Sequence, residues 1–297
     1  MSLRESGEST RSVDFAALLD TDAPAIGGLG GPTIEEYATL LVRGGWPALV
    51  TQPTRSATDY LSGYLDDVAR ADLRFAGATA DPMRMAALQR ALARSSATEA
   101  SAAKLSAEAE LPVPGTATAA ISAQTVRKYV DALSRVFVVE EQPAWKPHLR
   151  SKVRLRVQPK WHFVDPSLAA AALRAHPEAL LSDLETFGLL FESLCVRDLR
   201  IYAQMLDGAV YHYRDDSGLE IDAIVQLGNG RWSAFEVKLG GSGAVEQAAA
   251  SLHKLKAKVS PQRAAQLATL NVLTAGAESY TRADGVNVVS LGHLDVA

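Results

Sequence analysis

Cysteine occurs once in the 297 residues, at Cys195, so no internal disulfide framework is possible. The six histidines are scattered, without paired cysteines or an HxxxH spacing, which argues against a structural zinc site. Neither sign of charge dominates. Lys and Arg number 30 against 34 Asp and Glu, a net charge of −4, so any contact with nucleic acid has to come from a local patch. No apolar run approaches the roughly 18 to 20 residues of a membrane span, and the opening MSLRESGESTRSVDF is polar rather than signal-like. The expected compartment is the cytoplasm, with no membrane partner. No glycine is followed by lysine, so the phosphate loop GxxxxGK with Ser or Thr is missing. The GGLGG stretch therefore reads as a linker, and ATP is not expected as a cofactor.

What is present is enough apolar residue, 47%, to bury real cores in two or three domains. Residues 1–77 read as a linker and helical segment. In TIEEYATLLVRGGWPALV, Thr33 is an N-cap with Glu36 three residues on, and Gly44-Gly45 stops the helix. In ATDYLSGYLDDVARADLRF, Tyr60, Leu61, Tyr64, Leu65, Val68 and Leu73 fall near helical spacing. Residues 78–160 are Ala-rich and helical, then turn to strands. Ser122 caps a helix whose apolar stripe is Val126, Tyr129, Val130, Leu133 and Phe137, leaving Arg127 and Lys128 outside. Helix, helix, loop, helix, strand pair is the order of a winged helix-turn-helix.

The expected wing is RSKVRLRV, where Arg150, Lys152, Arg154 and Arg156 alternate with Val153, Leu155 and Val157. With Lys146 and Lys160 it forms a basic ribbon free of acidic residues. One reading gives phosphate contact by the wing together with Arg127 and Lys128. The other gives a solvated strand face, or a surface that docks onto an acidic partner domain. A protein partner or a homo-oligomer is a separate expectation.

Residues 161–297 read as α/β: a long apolar helix over LLSDLETFGLLFESLCVRDLRIYAQML, strands at VYHYR, LEIDAIVQL and RWSAFEVKL, a helix over AVEQAAASLHKLKAKV, then strands at NVLTA and VNVVSL. Helices pack on a mixed sheet in this expectation. The second and third strands form a hairpin around Gly228-Asn229-Gly230. Pairing 227 with 231 puts Asp222 opposite Glu236, their Cβ atoms about 5 Å apart, and Glu220 opposite Lys238. Opposed carboxylates repel unless something positive lies between them, and Mg²⁺ or Mn²⁺ fits, since these ions take oxygen ligands. Lys238 would orient a water or stabilise charge developing on a phosphate. Glu192 lies on the apolar stripe of the long helix, so it either pairs with a basic residue such as Arg197 or Lys238, or points into a metal site.

Asp222, a hairpin, then Glu236-Val237-Lys238, preceded by a helix carrying Glu192, resembles the restriction-endonuclease-like core written PD-(D/E)XK. The resemblance implies Asp222 and Glu236 as metal ligands, Lys238 as the catalytic lysine and Glu192 as the helical acid, acting on phosphodiesters with a divalent metal. Gln247 resembles the glutamine that some branches use. Ile221 stands where the motif has proline. GGWPALV, KWHFVDPSLAAAAL, GLLFESLCVRDLRIYA, HYRDDSGLEIDAIV and AFEVKLG together resemble the C-terminal region of AAA+ superfamily ATPases of bacteria and archaea, over roughly residues 35 to 285. The ATPase module itself has no counterpart here, so ATP hydrolysis is not implied. The resemblance leaves two functional classes open, a nuclease-like DNA-binding protein and a non-catalytic regulatory or interaction module.

Overall fold

The computed structural model describes residues 1–72, 81–109, 121–146 and 158–296. From the N-terminus its elements run β1 (Val13–Asp14), β2 (Gly27–Leu29), α1 (Ile34–Arg43), α2 (Thr54–Asp67), α3 (Pro82–Arg94), α4 (Ala102–Glu108), α5 (Ala123–Arg135), β3 (Val139–Gln142), β4 (Lys160–Phe163), α6 (Pro166–Leu173), α7 (Pro177–Ser182) and α8 (Leu184–Met205). They continue with β5 (Gly208–Arg214), β6 (Glu220–Leu227), β7 (Trp232–Lys238), α9 (Ser242–Lys258), α10 (Pro261–Ala264), β8 (Leu267–Thr274), β9 (Glu278–Thr281), β10 (Asn287–Ser290) and β11 (Leu294–Asp295). The class is mixed α/β. Contacts divide the chain into two units, each assembled from separated segments: Met1–Tyr37, the described part of Gln142–Val157 and Leu194–Ala297 in the first, Ala38–Glu141 and Gln158–Ser193 in the second.

The first unit is built on a seven-stranded sheet of order β2-β9-β10-β8-β7-β6-β5. β8 runs parallel to both β7 and β10, and the remaining neighbours are antiparallel. The β6–β7 hairpin has the expected register. Ala223 pairs with Phe235 and Gln226 with Trp232, and the turn closes through the Leu227 N–H on the Arg231 carbonyl at 2.9 Å. Gly230, at φ 89°, supplies the left-handed residue that so tight a reversal needs.

Between β7 and β8 the chain crosses over through α9, whose Val245, Ala248, Ala249, Leu252 and Leu255 are buried against Ile224, Trp232, Ala234, Leu270 and Val272 of the sheet. A parallel connection requires such a crossover, and the apolar stripe fixes which side of the helix faces in. The other face of the hairpin is covered by the N-terminal segment: Phe15 stacks on Phe235 with ring centroids 6.2 Å apart, and Ser233 donates to the Leu18 carbonyl. Cys195, in α8, is fully buried.

The Gly-rich stretch expected to be a linker is a strand instead. β2 pairs antiparallel with β9, Gly28 opposite Ser279. A Cβ on Gly28 would lie 2.6 Å from Ser12 Oγ and 2.7 Å from His293 Nδ1, and one on Gly31 2.8 Å from Ser290 Oγ. These glycines are required by close approach, a role that composition alone reads as looseness. The Thr33 box forms as expected, with the Thr33 N–H on Glu36 Oε2 at 2.7 Å and the Glu36 N–H on Thr33 Oγ1 at 3.2 Å.

In the second unit α3, α4 and α5 precede the β3–β4 pair. Ser122 caps α5 through the Thr125 N–H, and Val126, Tyr129, Val130 and Leu133 are buried as the spacing predicts. Phe137, expected on the same stripe, is 78% exposed. The helix ends at Arg135 and Phe137 adopts φ 55°, which turns it off the helical face. Two motifs separate in sequence lock together here. Asp165 caps α6 through the Ser167 N–H at 3.0 Å, accepts the Gly45 N–H at 3.0 Å, and its partner Ser167 Oγ accepts from the Trp46 indole. The long helix expected from LLSDLETF onward is broken at Asp183, whose carboxylate accepts the Thr186 N–H at 3.1 Å and starts α8 afresh.

Candidate metal and active site

Register and pleat bring Asp222 and Glu236 together on the α9 side of the sheet, beyond the apolar end of that face. Asp222 is held from two directions. Its Oδ2 accepts the Val237 N–H at 2.8 Å, and its carbonyl accepts Gln142 Nε2 at 2.9 Å. The same Gln142 amide donates to the Tyr211 carbonyl at 3.1 Å, next to the register shift between Tyr211 and Tyr213. A bulge frees ladder groups, and Gln142 satisfies two carbonyls at that point.

Lys238 Nζ lies 2.8 Å from Glu236 Oε2 and 3.6 Å from Asp222 Oδ2. Glu236 is only 5% exposed. Burial, with the Asp222 charge and a hydrogen bond shared with Asp222 added to it, pushes its carboxyl up to about 8, although Lys238 pulls the other way. Burial beside a second carboxylate thus favours the protonated form of Glu236.

The three side chains form the foot of an open cleft of about 520 Å³. One wall is the β5–β6 turn with Ser217 and Gly218; the other is α9, which presents Gln247, Ser251, Lys254 and Lys258. Glu220 lines the same cleft. Two carboxylates side by side at the cleft foot, offering only hard oxygen donors, fit a divalent ion such as Mg²⁺ or Mn²⁺, which would offset their mutual repulsion. No cluster of three or more His, Cys, Asp or Glu suited to a metal occurs among the described residues. A cation there would complete its shell from backbone carbonyl, water or substrate oxygen.

Other expected residues are placed differently. Glu192 is engaged by Lys160 at 2.8 Å within the second unit. Lys160, counted from sequence with the basic ribbon, is 1% exposed, and an ammonium so buried needs the carboxylate that Glu192 puts at its tip. Arg127 and Lys128 are exposed on α5. Arg150, Lys152, Arg154 and Arg156 lie outside the described residues. Sequence reasoning passed over Gln142, Ser217, Lys254 and Lys258; the lysines carried a readable signal, since they extend Gln247 and Ser251 at helical spacing.

Comparison with known proteins bears on both halves. The chain is similar to two families in succession. Residues 34–179 match a domain of unknown function, DUF8612, and residues 187–294 match another, DUF4143. No curated protein and no solved structure gives a match. DUF4143 is known in AAA-ATPase-associated proteins, in line with the resemblance over that segment. The DUF4143-like segment contains the whole β5–β10 part of the sheet, α9 and every side chain at the cleft foot. Among the described residues no helix is long and apolar enough to cross a membrane.

Proposed function

We propose that the DUF4143-like segment carries a divalent-metal-dependent phosphodiesterase site acting on nucleic acid. The observation that carries this reading is the Asp222–Glu236 pair at the foot of an open cleft, with Lys238 Nζ 2.8 Å from Glu236 and 3.6 Å from Asp222. Asp222 and Glu236 would hold Mg²⁺ or Mn²⁺, which when bound supplies Lewis acidity toward a phosphate oxygen. Lys238 would orient the attacking water and offset the charge that grows on the phosphoryl oxygens as the phosphorus–oxygen bond to the leaving sugar breaks. Gln142 holds the Asp222 backbone in place. Glu192, paired with Lys160, belongs to the fold in this reading, and exposed Arg127 and Lys128 would add electrostatic grip on phosphates.

The test is titration of Mn²⁺ and Mg²⁺ by calorimetry, followed by cleavage assays. Wild type is expected to bind one ion and Asp222→Ala none. Lys238→Ala is expected to keep the ion and lose at least about 100-fold in cleavage rate. A pure preparation that binds no ion, with or without nucleic acid present, would sink the reading. It would favour instead a regulatory or docking module of an ATPase-associated protein. The observation behind that second reading is that Lys238 already neutralises the acidic pair.

A further inference from the structure

The wall of the cleft formed by α9 is not used by the reading above. Its residues Gln247, Ser251, Lys254 and Lys258 follow an i, i+4, i+7, i+11 pattern, one stripe along the helix. The stripe runs parallel to the helix axis for about 16 Å at 1.5 Å per residue, with only amide, hydroxyl and ammonium groups on it. The single acidic residue of α9, Glu246, stands on another flank, where it binds Arg282 at 2.6 Å. His253 also faces away, toward Asp284 at 3.6 Å. The helix is thus chemically divided: its anionic residue is tied to Arg282, while the cleft flank carries no anionic group and offers ammonium, amide and hydroxyl donors.

The far end of the stripe is fixed. Lys258 Nζ donates to Asp215 Oδ2 at 2.6 Å and to Ser217 Oγ across the mouth of the cleft. Asp215 in turn accepts the Ser217 N–H at 2.9 Å and the Leu219 N–H at 3.2 Å, which shapes the opposite rim. Lys254, one turn nearer the carboxylates, is exposed and has no carboxylate partner among the described residues. An unpaired cation beside hydroxyl and amide donors, leading to a site for phosphodiesters, matches a chain of phosphates.

Size selects the form of that chain. A cleft of about 520 Å³ is in the range of small-ligand sites, and Glu236 at its foot is 5% exposed. A flexible strand can bend its backbone down between the two walls, whereas the phosphates of a duplex are held on a wide, stiff cylinder.

We infer that the Gln247–Ser251–Lys254 stripe is the track for a single nucleic-acid strand, seating the phosphate next to the reacting one on Lys254 in the mouth bounded by Lys258. The inference rests on the phosphodiesterase reading for the position of the reacting phosphate, but it is measured by binding.

The experiment is fluorescence anisotropy of a labelled thymidine oligomer of about twelve nucleotides, and of a blunt duplex of equal length, in Ca²⁺ buffer at several salt concentrations. Wild type is expected to prefer the single strand. Lys254→Gln is expected to weaken that binding by about fivefold or more and to lower the salt slope by about 0.7. Lys256→Gln, the same charge change on the same helix but off the cleft, is expected to leave both unchanged. Equal affinity and slope for Lys254→Gln and wild type would overturn the track, as would tighter binding of the duplex or no binding of either. Normal Lys254 dependence with no cleavage in Mn²⁺ would remove the phosphodiesterase reading and leave the track standing.

Discussion

Glu236 keeps a proton when folded that it gives up in the unfolded chain above the ordinary glutamate value of 4.5. Its contribution is therefore fully present below that value and is lost as pH rises toward about 8. The metal-free protein is expected to melt at progressively lower temperature across this window. Glu236→Gln, which cannot ionise, should melt at a nearly constant temperature and above wild type at the alkaline end; a wild-type profile as flat as the variant's would contradict a raised Glu236 carboxyl. Lys160 and Glu192 make a second residue-scale case. With Lys160 1% exposed, Lys160→Ala leaves a carboxylate without its cation and should cost about 3–5 kcal/mol by chemical denaturation. The double change Lys160→Met with Glu192→Leu should cost much less than the sum of the singles, since neither charge is left behind.

Elements show where local chemistry and distant packing part company. Gly44 has φ 75°, and a Cβ there would meet Ser167 Oγ at 2.3 Å and Asp165 Oδ1 at 2.8 Å. Gly44→Ala is therefore expected to lower stability by about 2 kcal/mol or more, by left-handed strain and by disrupting the Asp165–Gly45 lock. An unchanged denaturation midpoint would show that α1 does not depend on the lock. From sequence Gly44 was legible as a helix stop, because a chain terminator is a local property; its second duty toward Ser167 was not, because the partner lies in another segment. The same division runs through the site. Turn composition and period-2 alternation were enough to align Asp222 with Glu236, both being short-range rules. Gln142 was invisible to them, since its targets are carbonyls exposed by a bulge. Phe137 was misplaced because the helix stops two residues short of it, and β2 was missed because Gly28 serves contacts with His293 and Ser12 in distant segments.

At the scale of the molecule, the two units do not follow sequence order. A division at 77 and 160 suits a chain whose domains succeed one another, but the first unit draws β1, β2 and Gln142 from outside residues 161–297. A fragment of residues 161–297 would retain β5 to β10 yet lack Phe15, Leu18 and the β2 edge. It is expected to show no cooperative thermal transition by circular dichroism, whereas the full chain shows one or more. A sharp transition in the fragment would mean that the N-terminal strands decorate the sheet rather than complete it. Strands joined across such separations also raise contact order, and slow folding follows.

The buried Cys195 puts a stopwatch on the reverse event, the opening of the packed chain. A lone thiol with no surface access reacts with an aromatic disulfide reagent only while α8 is released from its packing. In reagent excess the labelling rate first tracks the population of the opened form, then levels off at the opening rate itself. The chain thus carries its own kinetic reporter, readable by absorbance with no introduced dye, for how often the helix that leads into the sheet comes loose.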